Sequence, residues 1–385
     1  MSETVIIEAV RTPFGRKGGT LSSVRPDELY ALVLNGLLKR LPSLDASKIE
    51  DVITGCVTQA GEQGANVGRI ATLLSMLPKE VPAITLNRMC GSGQQAVHFA
   101  AQAIAAGDAR YMIGGGVESM SRVQMFSDIG GGFEKLNPKL GEKYEIIHQG
   151  ESAERIAEKY GISRAALDEF SMNSHRKAHA ATQAGYFTSQ LIEVPGADKE
   201  GKPTTLKTDE GIRATLDPAK MASLPPVFRS NGVVTAANSS QLSDGAAAVL
   251  IADKATAIAD GLWPRASFLA RVAVGGDPTL QLMEVVPATR KALERAKLTL
   301  ADIDVIEINE AFASVVLAWG QELKVDWEKV NPNGGAIAHG HPLGATGAGL
   351  LTKLLHELER RDATFGLQVM CIGHGMATAT IIERM

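Results

Sequence analysis

The chain has 385 residues, 39 Lys plus Arg against 43 Asp plus Glu for a formal charge of −4, and 45% hydrophobic and 21% charged residues. That length excludes a peptide or small binding module and allows two or more cores. The composition excludes a disordered tail, and the mild acidity without a basic stripe argues against a nucleic-acid partner. Cys56, Cys90 and Cys371 are too few and too widely spaced for a disulfide framework, which points to a reducing compartment. No apolar run reaches the ~20 residues of a membrane span. The opening segment does not read as a secretory signal, so a cytoplasmic, non-membrane protein is expected.

In chain order, "VIIEAV" and "DVITGCV" read as strands and "ELYALVLNGLLKRL" as a helix. "GQQAVHFAAQAIAAG" follows as a helix and "ARYMIGGGV" as a strand, the alternation of an α/β protein with buried strands. From about Glu118 to Gly232 this pattern breaks into helices, "ESAERIAEKYG" and "RAALDEFSMNSHRKAHAATQAG", separated by polar, proline-containing loops. It resumes at "QLSDGAAAVLIAD", and the second half repeats the order of the first. "DVIEINEAF" answers "DVITGCV", "NPNGGAIAHGHPLGATGAGLLTKLLHELER" answers the stretch from Asn87 through Gly93 and its helix, and "TFGLQVMCIGHGM" answers "ARYMIGGGVESM". The expectation is two copies of one α/β unit with an insertion after the first. Reactive groups should gather where helix starts from the two copies meet.

Cys90 precedes a helix beginning near Ser92, where free N–H groups and the helix dipole favour a thiolate. It is either a nucleophile or a small buried residue. Cys371 ends an apolar strand before "IGHG" and is either a proton-exchanging thiol or structural. Cys56 reads as a core strand residue. His339 and His341, in "GGAIAHGHPLGATG", are both candidate bases for a thiol, held by glycines and Pro342. No metal-binding pattern such as a cysteine pair or HExxH is present, so no metal is expected. Asn309 ends a buried strand and can donate to an oxyanion or cap the next helix.

Taken together, "NRMCGSG", "NEAFA", "NPNGGAIAHGHPLGATG" and "CIGHGMATATIIE" resemble the thiolase family, and the likeness runs from "EAVRTPFGR" to the last residues. The resemblance implies a thiolase fold of two duplicated βαβαβαββ domains forming a five-layered α-β-α-β-α core. Residues 1–117 with 233–262 would form the N-terminal domain, 118–232 an inserted CoA-binding loop domain and 263–385 the C-terminal domain. It implies thiolytic cleavage of 3-ketoacyl-CoA by CoA, or the reverse Claisen condensation, with CoA as substrate and no prosthetic group. By resemblance Cys90 is the acylated nucleophile and His341 its base, and Cys371 is the acid and base. Asn309 acts with His341 on the enolate, and the N–H groups of Cys90 and Gly373 serve as oxyanion donors. Arg213, Ser240 and His148 match positions that contact CoA.

Three positions depart from the family pattern. Gly91 stands where many relatives have serine, Gln149 where short-chain thiolases tend to have methionine, and His374 interrupts a glycine-rich stretch, where it would tune Cys371 or point into a neighbouring core. "GCVTQAGEQGANVGRIA" with "CGSGQQAVHFA" looks most like the degradative branch that includes steroid-type thiolases, with a short-chain acetyl-CoA C-acetyltransferase as the alternative. Ketoacyl synthases share the fold but typically use two histidines where this chain has a second cysteine, and a noncatalytic CoA-binding protein would leave both thiols unexplained. The resemblance also implies a homodimer or homotetramer with an interface near "LNRMC", and a possible β-oxidation partner.

Overall fold

The structure is a computed structural model that describes residues 3–385. Its N-terminal half contributes strands β1 (Thr4–Arg11), β2 (Asp51–Gly55), β3 (Ala83–Leu86), β4 (Tyr111–Ser119) and β5 (Ser243–Asp253). The C-terminal half contributes β6 (Ala266–Gly275), β7 (Val305–Ile308), β8 (Phe365–Ile372) and β9 (Met376–Arg384). Strands β4 and β5 are buried along their whole length, and so their sequences are runs of small and apolar residues rather than alternating ones.

The order β3-β2-β4-β5-β1 in the first half is matched by β7-β8-β9-β6 in the second. In each half the second strand pairs in parallel with the fourth, and the fourth and fifth are antiparallel. The counterpart of β3 is reduced to a single parallel bridge between Ile306 and Val330. Both copies of the repeated unit are therefore present. The two halves join through β1 and β6, which share only the pairs Val5–Ser267 and Ile6–Ala266.

Helices complete the layers. Helices α1 (Pro26–Lys39) and α2 (Val67–Leu74) cover the outer face of the first half. Helices α3 (Ser92–Ala106) and α8 (Leu343–Arg361) pack on each other between the two halves of the sheet. On the far face lie α6 (Val285–Ala296) and α7 (Ala313–Leu323). The result is the expected α-β-α-β-α stack, with separate apolar clusters on each outer side and one around α3 and α8.

The chain leaves the sheet after Ser119 and rejoins it at Ser243. Between these points lie α4 (Gln149–Lys159) and α5 (Arg164–Gln183), both packed on α7, and a hairpin of Val194–Ala197 with Pro203–Leu206. A buried ion pair ties this segment to the first half: Arg11 donates to both oxygens of Asp209 at 2.6 and 2.9 Å.

The site depends on how closely α3 and α8 approach. A Cβ at Gly93 would lie 2.6 Å from the Gly344 carbonyl oxygen, and one at Gly347 would lie 2.3 Å from the Gln94 nitrogen. Glycine at these positions lets the first turns of the two helices touch backbone to backbone. The residues just before each helix are thereby brought to one place.

Candidate active site

Cys90 lies two residues before α3, and His341 lies two residues before α8. The turn that carries Cys90 places Met89 in the left-handed region, with φ 48°. Both side chains line one cavity of about 220 Å³, together with His148, Ser240 and His374. Asn309, immediately after β7, and Cys371, the penultimate residue of β8, are fully buried behind it.

Asn309 links the other groups. Its Nδ2 lies 3.4 Å from His341 Nε2 and 3.7 Å from Cys371 Sγ, while its Oδ1 is buried without a partner. The alternative of Asn309 as helix cap does not hold, because α7 begins at Ala313 with Phe312 at its cap position. The tautomer of His341 follows from its other neighbour. Thr346 Oγ1 donates to the Pro342 carbonyl at 2.9 Å, so at 2.7 Å it accepts from His341 Nδ1–H. Nε2 is left bare and faces Asn309. Burial lowers this imidazole to about 4, so it is neutral at physiological pH.

The thiols are held differently. Burial, and then its neighbour Cys371, push the Cys90 thiol well above the ordinary range, and the backbone N–H groups of Cys90 and Gly373 pull it back. Burial raises Cys371 to about 11 against donation from Asn309 and the Ala311 and Cys371 N–H groups. The resting site is thus a neutral thiol beside a neutral imidazole. A proton must move when Cys90 attacks, and the donors that already touch its sulfur can receive charge on an adjacent oxygen.

His339 has a structural partner set instead. Its Nδ1 is 2.8 Å from Asp209 Oδ2 and its Nε2 is 3.0 Å from the Asn333 carbonyl, which fastens the loop before His341 to the Arg11–Asp209 pair. Of the two candidate bases, His341 is the one at the cavity. Cys56 follows β2 rather than lying within it, and is buried.

His148 caps α4 by accepting from the Gly150 N–H at Nδ1, which leaves Nε2–H as its donor, and its ring stacks on Phe228. Ser240 lies on the same wall, with its N–H given to the Ala311 carbonyl. Arg213 is not in this cavity. It lines a neighbouring groove with His175 and Lys220, and Ser239 and Gln241 border both hollows. His374 neither reaches into a neighbouring core nor bears on the Cys371 thiol as expected. Its backbone takes φ 60°, a turn conformation that suits the glycine it replaces, and its ring stands edge-on to Phe133 on the cavity wall.

Two positioning residues were not anticipated from sequence. Thr346 sits one helical turn beyond Pro342, a spacing that could have exposed it. Glu118 is a lone carboxylate at the end of the buried strand β4, and such a charge demands partners. It accepts from the Val57, Thr58 and Gly344 N–H groups and from Gln63 Nε2 at 2.9–3.0 Å, joining loops from both halves beside the cavity. Among the described residues no group of three or more His, Cys, Asp or Glu side chains is arranged to hold a metal ion, and no helix is long and apolar enough to cross a membrane.

Residues 4–255 match the family described as thiolase, N-terminal domain, and residues 262–384 the thiolase, C-terminal domain. A 3-oxoadipyl-CoA/3-oxo-5,6-dehydrosuberyl-CoA thiolase of Escherichia coli is 45% identical over 402 residues, covering 100% of both chains. A steroid 3-ketoacyl-CoA thiolase of Mycobacterium tuberculosis is 45% identical, covering 100% of this chain and 95% of its own. The crystal structure of an acetyl-CoA acetyltransferase of Bacillus anthracis superposes with a TM-score of 0.92 at 36% identity, covering 100% of this chain and 99% of that one.

Proposed function

Since the chain belongs to the thiolase family and is an acyltransferase enzyme, we propose that it cleaves 3-ketoacyl-CoA with CoA through an acyl group carried on Cys90. The observation that carries this reading is Asn309 Nδ2 reaching both His341 Nε2 and Cys371 Sγ behind the Cys90 cavity.

In the first half-reaction Cys90 Sγ bonds to the keto carbon, and its proton passes to the bare Nε2 of His341. The C2–C3 bond breaks, and its electron pair becomes the enolate of acetyl-CoA. His341, now carrying Nε2–H, donates to the enolate oxygen alongside Asn309, and Cys371 gives its proton to C2. In the second half-reaction the CoA thiol yields its proton to the Cys371 thiolate. The CoA sulfur bonds to the acyl carbon, and the transient oxyanion meets the Cys90 and Gly373 N–H groups. The bond to Cys90 then breaks, and Cys90 recovers its proton from His341.

CoA in this reading runs from the Arg213 groove past Ser239 and Gln241 to Ser240 and His148, so residues 118–232, which supply Arg213 and His148, share its contact with residues 239–241 of the N-terminal unit. The flanking units are 1–117 with 233–262, and 263–385. Three free thiols suit a reducing compartment such as the cytoplasm. Relatives of equal identity are named for a dicarboxylic and a steroid acyl group, so overall likeness does not favour the steroid branch. Degradative cleavage is preferred to acetoacetyl-CoA formation because the cavity extends beyond the thiols along an apolar wall.

A homodimer is supported by the edge strand β3, where Ile84 is 52% exposed, and by Leu73, Leu74 and Met76 at and beyond the end of α2 beside it. The deciding experiment is CoA-dependent release of acetyl-CoA across a panel of 3-ketoacyl-CoAs, with mass spectrometry for an acyl group on Cys90. Folded protein that releases none would overturn the reading.

A further inference from the structure

The cavity has two unlike sides. One side carries the Cys90 thiol and the His341 imidazole, and the wall supplied by the segment after β4 is made of Met125, Phe126, Ile129, Phe133 and Leu136. The rings of Phe126 and Phe133 lie 5.1 Å apart, and His374 closes the wall edge-on to Phe133 at 5.7 Å. Among the described residues that line the cavity there is no lysine or arginine, and Asp128, exposed at the rim, is the one carboxylate. The wall's titratable rings are His148 and His374, and partial burial lowers both from the ordinary imidazole value, which disfavours a charge on either. His148 Nδ1 is in addition committed to the α4 cap.

We propose that this wall selects 3-ketoacyl chains ending in an uncharged apolar group and rejects those ending in a carboxylate. The inference rests on the thiolase reading and narrows its substrate class. An ω-carboxylate on this wall loses its hydration, finds no cation and meets Asp128. A terminal methyl loses nothing and gains contact with methionine and phenylalanine, whose flexible and flat surfaces accept chains of differing shape. The specificity implied thus differs from that in the name of the Escherichia coli relative, whose substrates are dicarboxylic.

The test compares 3-oxohexanoyl-CoA with 3-oxoadipyl-CoA, chains of equal length that differ in a terminal methyl or carboxylate. We expect kcat/KM to favour the methyl-ended chain by roughly 100-fold or more. Asp128→Asn should narrow the ratio several-fold and Met125→Lys, which puts a cation on the wall, by about tenfold or more. Asp128 is exposed, so its variant remains informative if Met125→Lys fails to fold. Equal or better cleavage of the carboxylate-ended chain overturns the inference and leaves the thiolase reading standing. So does cleavage of acetoacetyl-CoA with neither longer chain accepted. Failure on all three substrates by folded protein removes the thiolase reading, and this inference with it.

Discussion

The residue that follows the second strand of the N-terminal half is Cys56, and its counterpart in the C-terminal half is Asn309. The penultimate residue of the fourth strand is Glu118 in one half and Cys371 in the other. The backbone N–H after the second strand is paired in both halves, but that of Cys56 is given to Leu86 of the third strand and that of Asn309 to Val369 of the fourth. The side chains are used in opposite ways. In the first half Glu118 gathers backbone donors, and its charge, after burial, helps push the Cys56 thiol far up. In the second half Asn309 donates to Cys371 and holds that thiol lower. One copy of the strand pair fastens loops, while the other presents groups for proton transfer. The scaffold places these positions, and the neighbouring donors decide which thiol can react.

The contrast can be broken by experiment. The largest effect belongs to the residue with no counterpart in this scheme: Cys90→Ser should lower kcat about 10⁴-fold or more, with loss of the acylated protein in mass spectra. Glu118→Ala leaves the Val57, Thr58 and Gly344 N–H groups unpaired in the core and removes one of the two bonds that Gln63 Nε2 donates, and should cost about 3–5 kcal/mol in urea unfolding. Asn309→Ala should lower kcat about 10²–10³-fold with little change in unfolding midpoint, as expected for a donor used in the reaction. If its stability loss matched that of Glu118→Ala, the division into fastening and reacting copies would fail.

Acid adds a test that spans both copies. Burial lowers His98 to about 3 and His175, His341 and His356 to about 4 from 6.5. Because these folded values lie below the unfolded one, the unfolded chain binds more protons as pH falls from 6.5 towards 4. Each ring should remove up to about 1.4 kcal/mol of stability per pH unit across that window, seen as a steep drop in Tm. A flat Tm there would mean that these rings are not buried as described. Smallest of all, Cys56→Ala should cost about 1 kcal/mol and leave kcat near that of the wild type.

Much of this was readable before any coordinates. Short apolar runs alternating with longer helical patterns gave the α/β class, and the paired "DVI" strands and glycine-rich helix starts gave the duplication. Cys90, His341, Asn309 and Cys371 stood out because each falls at the end of a strand or the beginning of a helix. What sequence could not supply was long-range pairing. The family resemblance picked His341 over His339, but the reason His339 is withheld is its bond to Asp209, 130 residues away in the chain. The work of Glu118 depends on Gly344, 226 residues away. The orientation of His374 depends on Phe133, in a segment whose polar loops show no periodicity to mark a cavity wall.

The glycine contact between α3 and α8 has an electrical meaning beyond its steric one. Gly93 and Gly347 bring two helix N-termini to one side of the cavity, and each carries the equivalent of about half a positive charge. Apart from the His341 imidazolium, the transient charges of the proposed cycle are negative: a thiolate, an enolate or a tetrahedral oxyanion. A field of fixed direction therefore accompanies the reaction throughout, built from peptide dipoles that need not reorganise when charge appears. Gly347→Ala would push the helices apart and weaken that field without touching any group that exchanges a proton.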